Sequence, residues 1–226
     1  MELYHVMNRG VDKRNLFLND ADRARFVHDM WEFNDIENVD NVRHRVPRLA
    51  RDGHITGFVN PYIGKERIVD LHAWCLMGNH YHLLISERAD GGLSKFMRRI
   101  NVGYANYFNE KYKRQGTLFQ GRSKKVHIRT DSHFLHILNY IHCNPLDLSR
   151  EGRGWRNREI AGAADAVKYL SKYKWSSYLD YIGAHNFPSV LTTEVFADVF
   201  KNYKKEIADF LRDNEARTVK EYRLEY

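Results

Sequence analysis

Only two cysteines, Cys75 and Cys143, occur in the 226 residues, and each lies inside an apolar stretch. That placement suits buried thiols in a reducing compartment such as the cytoplasm. The chain also lacks any run of about 18 apolar residues, the length needed to cross a bilayer. Its start, Met1-Glu2-Leu3-Tyr4-His5, has neither the basic stretch nor the apolar core of a secretion signal. Acidic residues are scarce in one region above all. From Lys95 to Arg129 a single acid, Glu110, stands against ten basic residues, so this segment carries +9 while the whole chain carries +7 and the remainder sums to −2. A positive excess concentrated in one segment points to a polyanionic partner. What is present in quantity is apolar: 43% hydrophobic with 13% aromatic residues fits a globular protein with one main core and an appended helical part.

Tyr4 to Arg9 alternates and ends at Gly10, the pattern of a first strand and a turn. Asn19 or Asp20 can cap a helix in which Phe26, Val27, Met30, Trp31 and Phe33 recur at helical spacing. Asn34 to Lys65 is broken by Pro47, Gly53, Gly57, Pro61 and Gly64, with only Ile55 to Val59 resembling a strand. From Arg67 to Ser86 the chain is apolar and β-prone, and Gly78-Asn79 either turns it into a hairpin or bulges it. Leu93 then opens a helix whose apolar stripe runs through Phe96, Met97, Ile100, Tyr104, Tyr107 and Phe108, with Lys95, Arg98 and Arg99 on the other face. The segment Lys113 to Lys125 mixes Arg122, Lys124 and Lys125 with glycines and Phe119, a composition able to track phosphates and offer a ring to an unstacked base. Val126 to Arg129 reads as another strand. Ala163 to Tyr173 and Thr192 to Arg217 read as C-terminal helices, the latter with an internal break.

Two elements carry the chemistry. In the strand ending Asn79-His80-Tyr81-His82-Leu83, the period of two puts His80 and His82 on one face, where two imidazoles can hold one divalent ion. A hydrogen-bonded, half-buried pair at a sheet edge fits the same spacing in a chain with twelve histidines. The helix from Asp131 or Ser132 buries Phe134, Leu135, Ile137, Leu138 and Ile141, while His136, Tyr140 and Asn144 line up four apart on its other side. Pro145 ends that helix and leaves Asn144 at its tip with a side chain free to reach out.

Five stretches in this order resemble the signatures of the REP-associated tyrosine transposases, within the single-tyrosine HUH transposases that act on single-stranded DNA. They are Tyr4-His5-Val6-Met7-Asn8-Arg9-Gly10, Met77-Gly78-Asn79-His80-Tyr81-His82-Leu83-Leu84, Gly116-Thr117-Leu118-Phe119-Gln120-Gly121-Arg122, Tyr140-Ile141-His142-Cys143-Asn144-Pro145 and Trp175-Ser176-Ser177-Tyr178. The chain departs from the family in having Gly78 where proline is usual and in a longer connection, about 34–65. The resemblance implies an α/β (α+β) fold: a ferredoxin-like or RRM-like antiparallel sheet with helices packed on one side of it, plus C-terminal helices. A catalytic domain would span 1–148 and a helical extension packed on it 149–226. His80 and His82 would bind Mg²⁺ or Mn²⁺, with Asn144 as third ligand, and Tyr140 would be the nucleophile. Lys95, Arg98, Arg99, Phe119, Arg122, Lys124 and Lys125 would bind DNA.

The expected activity is cleavage and rejoining of single-stranded or hairpin DNA through a 5′-phosphotyrosine, with no nucleotide triphosphate and no membrane partner, by a cytoplasmic, nucleoid-associated monomer or homodimer. Tyr104 and Tyr107 are the competing tyrosines, since two-tyrosine relatives carry such a pair on one helix. A non-catalytic hairpin-binding regulator and a metal-dependent hydrolase without a covalent intermediate are the competing functions.

Overall fold

The computed structural model describes residues 1–36, 66–150, 152–157, 160, 162–197 and 199–213. The expected strand at Ile55 to Val59, nearly all of the 34–65 connection, and the chain from 214 onward lie outside the described residues. Strand β1 (Leu3–Arg9) leads to helix α1 (Asp20–Glu32), then to β2 (Val69–Leu76) and β3 (His80–Glu87), helix α2 (Gly92–Lys111) and β4 (Lys124–Ile128). The sheet runs β2-β3-β1-β4 with every neighbouring pair antiparallel, which is the ferredoxin-like βαββαβ arrangement. Helix α3 (Asp131–Cys143), α4 (Ala163–Leu170) and the C-terminal helices α5 (Tyr178–Tyr181), α6 (Glu194–Ala197) and α7 (Tyr203–Asp213) follow.

Helices cover both faces of the sheet, not one. Val6, Trp74, Leu76, Tyr81, Leu83 and Ile85 face α1 and α2, whereas Leu3, Ala73, Cys75 and Leu84 face α3, α4 and α7. The reason lies in α3: its Ile137, Leu138 and Ile141 need an apolar surface, and the face not taken by α1 and α2 supplies it.

Gly78 sits in the hairpin turn joining β2 to β3, and its carbonyl accepts from Leu16 and Phe17. The bulge in this hairpin lies between Leu71 and Ala73. By adding one residue it lets Val69 and Leu71 before it, and Trp74 and Leu76 after it, all face the same core. Helix α1 begins with a capping box in which Asn19 accepts from the Asp22 amide and Asp22 accepts from the Asn19 amide. Asp22 also binds Lys111 at 2.6 Å and Tyr112 at 2.7 Å, tying the start of α1 to the end of α2. Helix α3 is capped by Thr130, one residue before the expected position.

The segment Trp175–Ser177 runs along the outer edge of β2. Leu76 donates to the Trp175 carbonyl at 2.9 Å and Ser177 donates to the Trp74 carbonyl at 3.0 Å. His142 of α3 hydrogen-bonds the Ser177 hydroxyl and the Tyr203 hydroxyl, so one buried imidazole joins α3, this edge segment and α7. Both cysteines are free and buried. Among the described residues no helix is long and apolar enough to cross a membrane.

Candidate active site

His80 and His82 project from the α3 face of β3, with ring centroids 5.0 Å apart. Tyr140 comes to them from α3, its ring 5.9 Å from that of His82. The sheet register adds a third imidazole. His5 on β1 is diagonal to His82 on the same face, its Nε2 2.9 Å from His82 Nδ1 and its ring 5.8 Å from Tyr140.

A hydrogen bond sets the tautomer of His80. Asn79 donates from Nδ2 to the Lys13 carbonyl at 3.3 Å, which turns its Oδ1 toward His80 Nδ1 at 2.7 Å. An amide oxygen only accepts, so His80 carries its proton on Nδ1 and keeps a lone pair on Nε2. For His82, Nδ1 lies 2.9 Å from His5 Nε2 and either nitrogen can be the donor; with the proton on His82 Nδ1, its buried Nε2, which has no hydrogen-bond partner among the described residues, carries a lone pair. Burial lowers His80 to about 4, helped by the nearby charge of Arg156, and lowers His82 well below the usual histidine range. With that His82 tautomer, the two imidazoles, each held through its Nδ1, present Nε2 lone pairs as a fitting donor pair for a divalent ion. Among the described residues no group of three His, Cys, Asp or Glu side chains gathers in this way, so any third ligand must come from another side-chain type.

Asn144 departs from expectation. It keeps helical angles (φ −50, ψ −40) despite the following proline, and the chain continues as a 3₁₀ turn through Leu148. Its side chain is fully buried and engaged, not free: Nδ2 donates to the Tyr140 carbonyl at 2.7 Å, and Oδ1 accepts from Arg156 at 2.7 Å. A metal would have to share that oxygen with a guanidinium.

Arg156, Trp155 and Asp147 were not legible as site residues. The Arg156 guanidinium carbon lies 5.0 Å from the Tyr140 ring centroid and 4.5 Å from that of Trp155. Asp147 binds Arg156 at 3.0 Å and accepts from the Trp155 indole at 2.8 Å. The sequence signal, an Asp and a Trp-Arg pair around a glycine-containing turn, has no fixed meaning without the fold.

The expected DNA-binding residues divide. Lys124 pairs with Met7, which pairs with His82, so Lys124 stands exposed on the same face as the histidines and in their row. Arg9 pairs with His80 and adds a cation at the same end. Arg122 is exposed in the turn before β4, and Lys125 lies over the Tyr4 ring at 5.6 Å. Lys95, Arg98 and Arg99 belong to α2, on the opposite face. Lys95 donates to the Ile36 carbonyl and Arg99 to the Phe33 and Asp35 carbonyls, while Arg98 is exposed. Phe119 is corrected: only 8% exposed, it packs against Tyr81 and Tyr104 and is closed to a base. It is drawn inward because the Gly116–Arg122 stretch pairs with the end of β1, through Val11 to the Leu118 carbonyl and Gln120 to the Arg9 carbonyl.

Tyr104 and Tyr107 lie across the sheet from the histidines. Tyr104 is fully buried and donates to the Leu16 carbonyl at 2.6 Å, and burial pushes its hydroxyl far above the ordinary range. Tyr107 donates to Asp22.

An antiparallel palm presenting a paired-histidine strand, a facing tyrosine and several cations is a site suited to phosphodiester chemistry. Residues 43–144 match the family model described as transposase IS200 like. The matched stretch contains His80, His82, Tyr140 and Asn144. No curated protein matches the chain. A solved structure of a REP-associated tyrosine transposase bound to a REP hairpin is similar to it with a TM-score of 0.46 and 13% identity, over 84% of this chain and 85% of that one.

Proposed function

We propose that this protein cleaves and rejoins single-stranded DNA beside hairpin-forming repeats, using Tyr140 as the nucleophile. One observation carries the reading: Tyr140 is the tyrosine that α3 sets against the His80 and His82 rings, whereas Tyr104 and Tyr107 are committed to the opposite core. Attack of the Tyr140 oxygen on a backbone phosphorus forms a tyrosine–phosphate bond and breaks the bond to the 3′ oxygen, and the phenolic proton ends on the released 3′-hydroxyl. The 5′-phosphotyrosine keeps the energy of a diester, so another 3′-hydroxyl can reverse the step and join a new strand without a nucleotide triphosphate. Bound at His80 and His82, with Asn144 as third ligand, Mg²⁺ or Mn²⁺ would supply Lewis-acid polarisation of the phosphate. His5 and Asn79 hold the two rings so that their Nε2 atoms are available. Lys124 and Arg9 offer charge to the flanking phosphates on the same face.

The deciding experiment incubates the protein and Mg²⁺ or Mn²⁺ with single-stranded oligonucleotides bearing hairpins from DNA flanking the gene. A covalent adduct that survives denaturation and maps to Tyr140 is expected, and Tyr140→Phe should abolish it while binding persists. Cut strands without an adduct would favour a hydrolase. Tight hairpin binding with neither would favour a regulator.

A further inference from the structure

The geometry points to Arg156 as a catalytic residue, its guanidinium contacting the scissile phosphate beside Tyr140; this rests on the function proposed above. Two features carry it. First, Arg156 is anchored on one side and hydrogen-bonds the Tyr140 side chain on the other. Its Nε and Nη2 bind Asp147 at 3.2 and 3.0 Å and Nη2 binds the Asn144 oxygen at 2.7 Å, which leaves Nη1 outside these bonds. Second, the anchor is rigid. Asp147 is pinned through its other oxygen by the indole of Trp155, a ring only 3% exposed, so the guanidinium stays against the Tyr140 ring.

Arg156 brings a positive charge to the tyrosine itself, with its side chain 28% exposed and so within reach of a substrate. A planar guanidinium matches two phosphate oxygens at once and stays charged at any working pH. Its contribution grows as negative charge spreads over the phosphoryl oxygens in the transition state, so it should act on rate more than on binding.

The test measures single-turnover adduct formation and DNA affinity side by side. Arg156→Gln should slow adduct formation by about 100- to 1,000-fold, the usual cost of losing one preorganised donor, with DNA affinity changed by no more than about twofold. Arg156→Lys should recover part of the rate, and guanidinium ion in the buffer should partly rescue Arg156→Ala. Asp147→Asn breaks the anchor but keeps the charge, so it should cost less than about tenfold. Wild-type rate in Arg156→Gln, with a normal Tyr140 adduct in the parent protein, would overturn this assignment alone. So would an equal loss in Asp147→Asn with a matching fall in Tm, which would make the pair a structural brace. A parent protein that forms no Tyr140 adduct would overturn the proposed function and this role with it.

Discussion

Tyr81 and His82 are adjacent on β3 and point to opposite cores. Tyr81 enters a layer closed by α1 and α2, where Phe26 and Phe119 surround it and its hydroxyl donates to Asn101 at 2.7 Å. His82 enters a layer where α3 brings Tyr140, and its Nε2 is left without a partner among the described residues. One face has its rings interlocked and the Tyr81 hydroxyl satisfied. The other gathers buried imidazoles, a carboxamide and a guanidinium close to the sheet. The same strand therefore carries stability on its odd residues and chemistry on its even ones, and substitutions should separate the two.

The sharpest break in that contrast is His82→Ala. It should remove metal-stimulated cleavage, by more than the roughly 100-fold that loss of even an outer partner of a metal site costs, with only a small change in Tm. Cleavage titrated with Mn²⁺ and Mg²⁺ reads this out, and undiminished activity in excess chelator would take the metal out of the mechanism. Tyr81→Ala should do the reverse, costing about 3–5 kcal/mol of stability as a large buried ring is deleted, with the residual folded protein still able to form adduct. Denaturant melts of both variants would show whether the two faces divide as stated.

A subtler effect concerns His72, a buried imidazole on the α3 side of the sheet. Its Nδ1 lies 3.0 Å from the Thr192 carbonyl oxygen and its Nε2 lies 2.8 Å from the Ser86 hydroxyl. Burial lowers its pKa, against weaker opposing pulls from the Thr192 carbonyl, Asp70 and Glu194. Between its lowered native value and the ordinary 6.5, the native imidazole is neutral while the unfolded one is protonated. The unfolded state then binds more protons, so stability present above pH 6.5 should be lost as pH falls below that value. Tm measured against pH should slope less in His72→Gln, and an unchanged slope would remove His72 as a contributor. The smallest effect is expected from Arg122, Lys124 and Lys125 replaced together by Ala. Each cation withdrawn from a phosphate should flatten the slope of log affinity against log salt by about 0.7 for single strands. An unchanged slope would move the DNA path off β4.

Much of this was legible because it depends on local period. The alternation through His80, Tyr81 and His82, and the four-residue spacing of His136, Tyr140 and Asn144, hold in the structure because strand and helix geometry leave little else for them to do. What was not legible depends on which segments meet. His5 becomes a site residue only because β1 lies beside β3, and Arg156 only because the turn after α3 folds back on Tyr140. Asn144 defeats a local reading for a related reason: a residue before proline is disfavoured in the helical region, but bonds to Tyr140 and Arg156 hold it there. Phe119 has the composition of a binding loop around it in the sequence and the packing of a core residue in the fold.

The pairing of Trp175–Ser177 along β2 also bears on how copies of this molecule can meet. A sheet can be extended only at its ends, and here the chain's own later segment occupies one of them. Among the described residues the other end, β4, has no outer neighbour, and it carries Lys124 and Lys125 with Arg129 just beyond. Two such edges brought together would set cation against cation, so continuous sheet formation between copies is discouraged at the open end and obstructed at the closed one. An extended polyanion meets neither obstacle there.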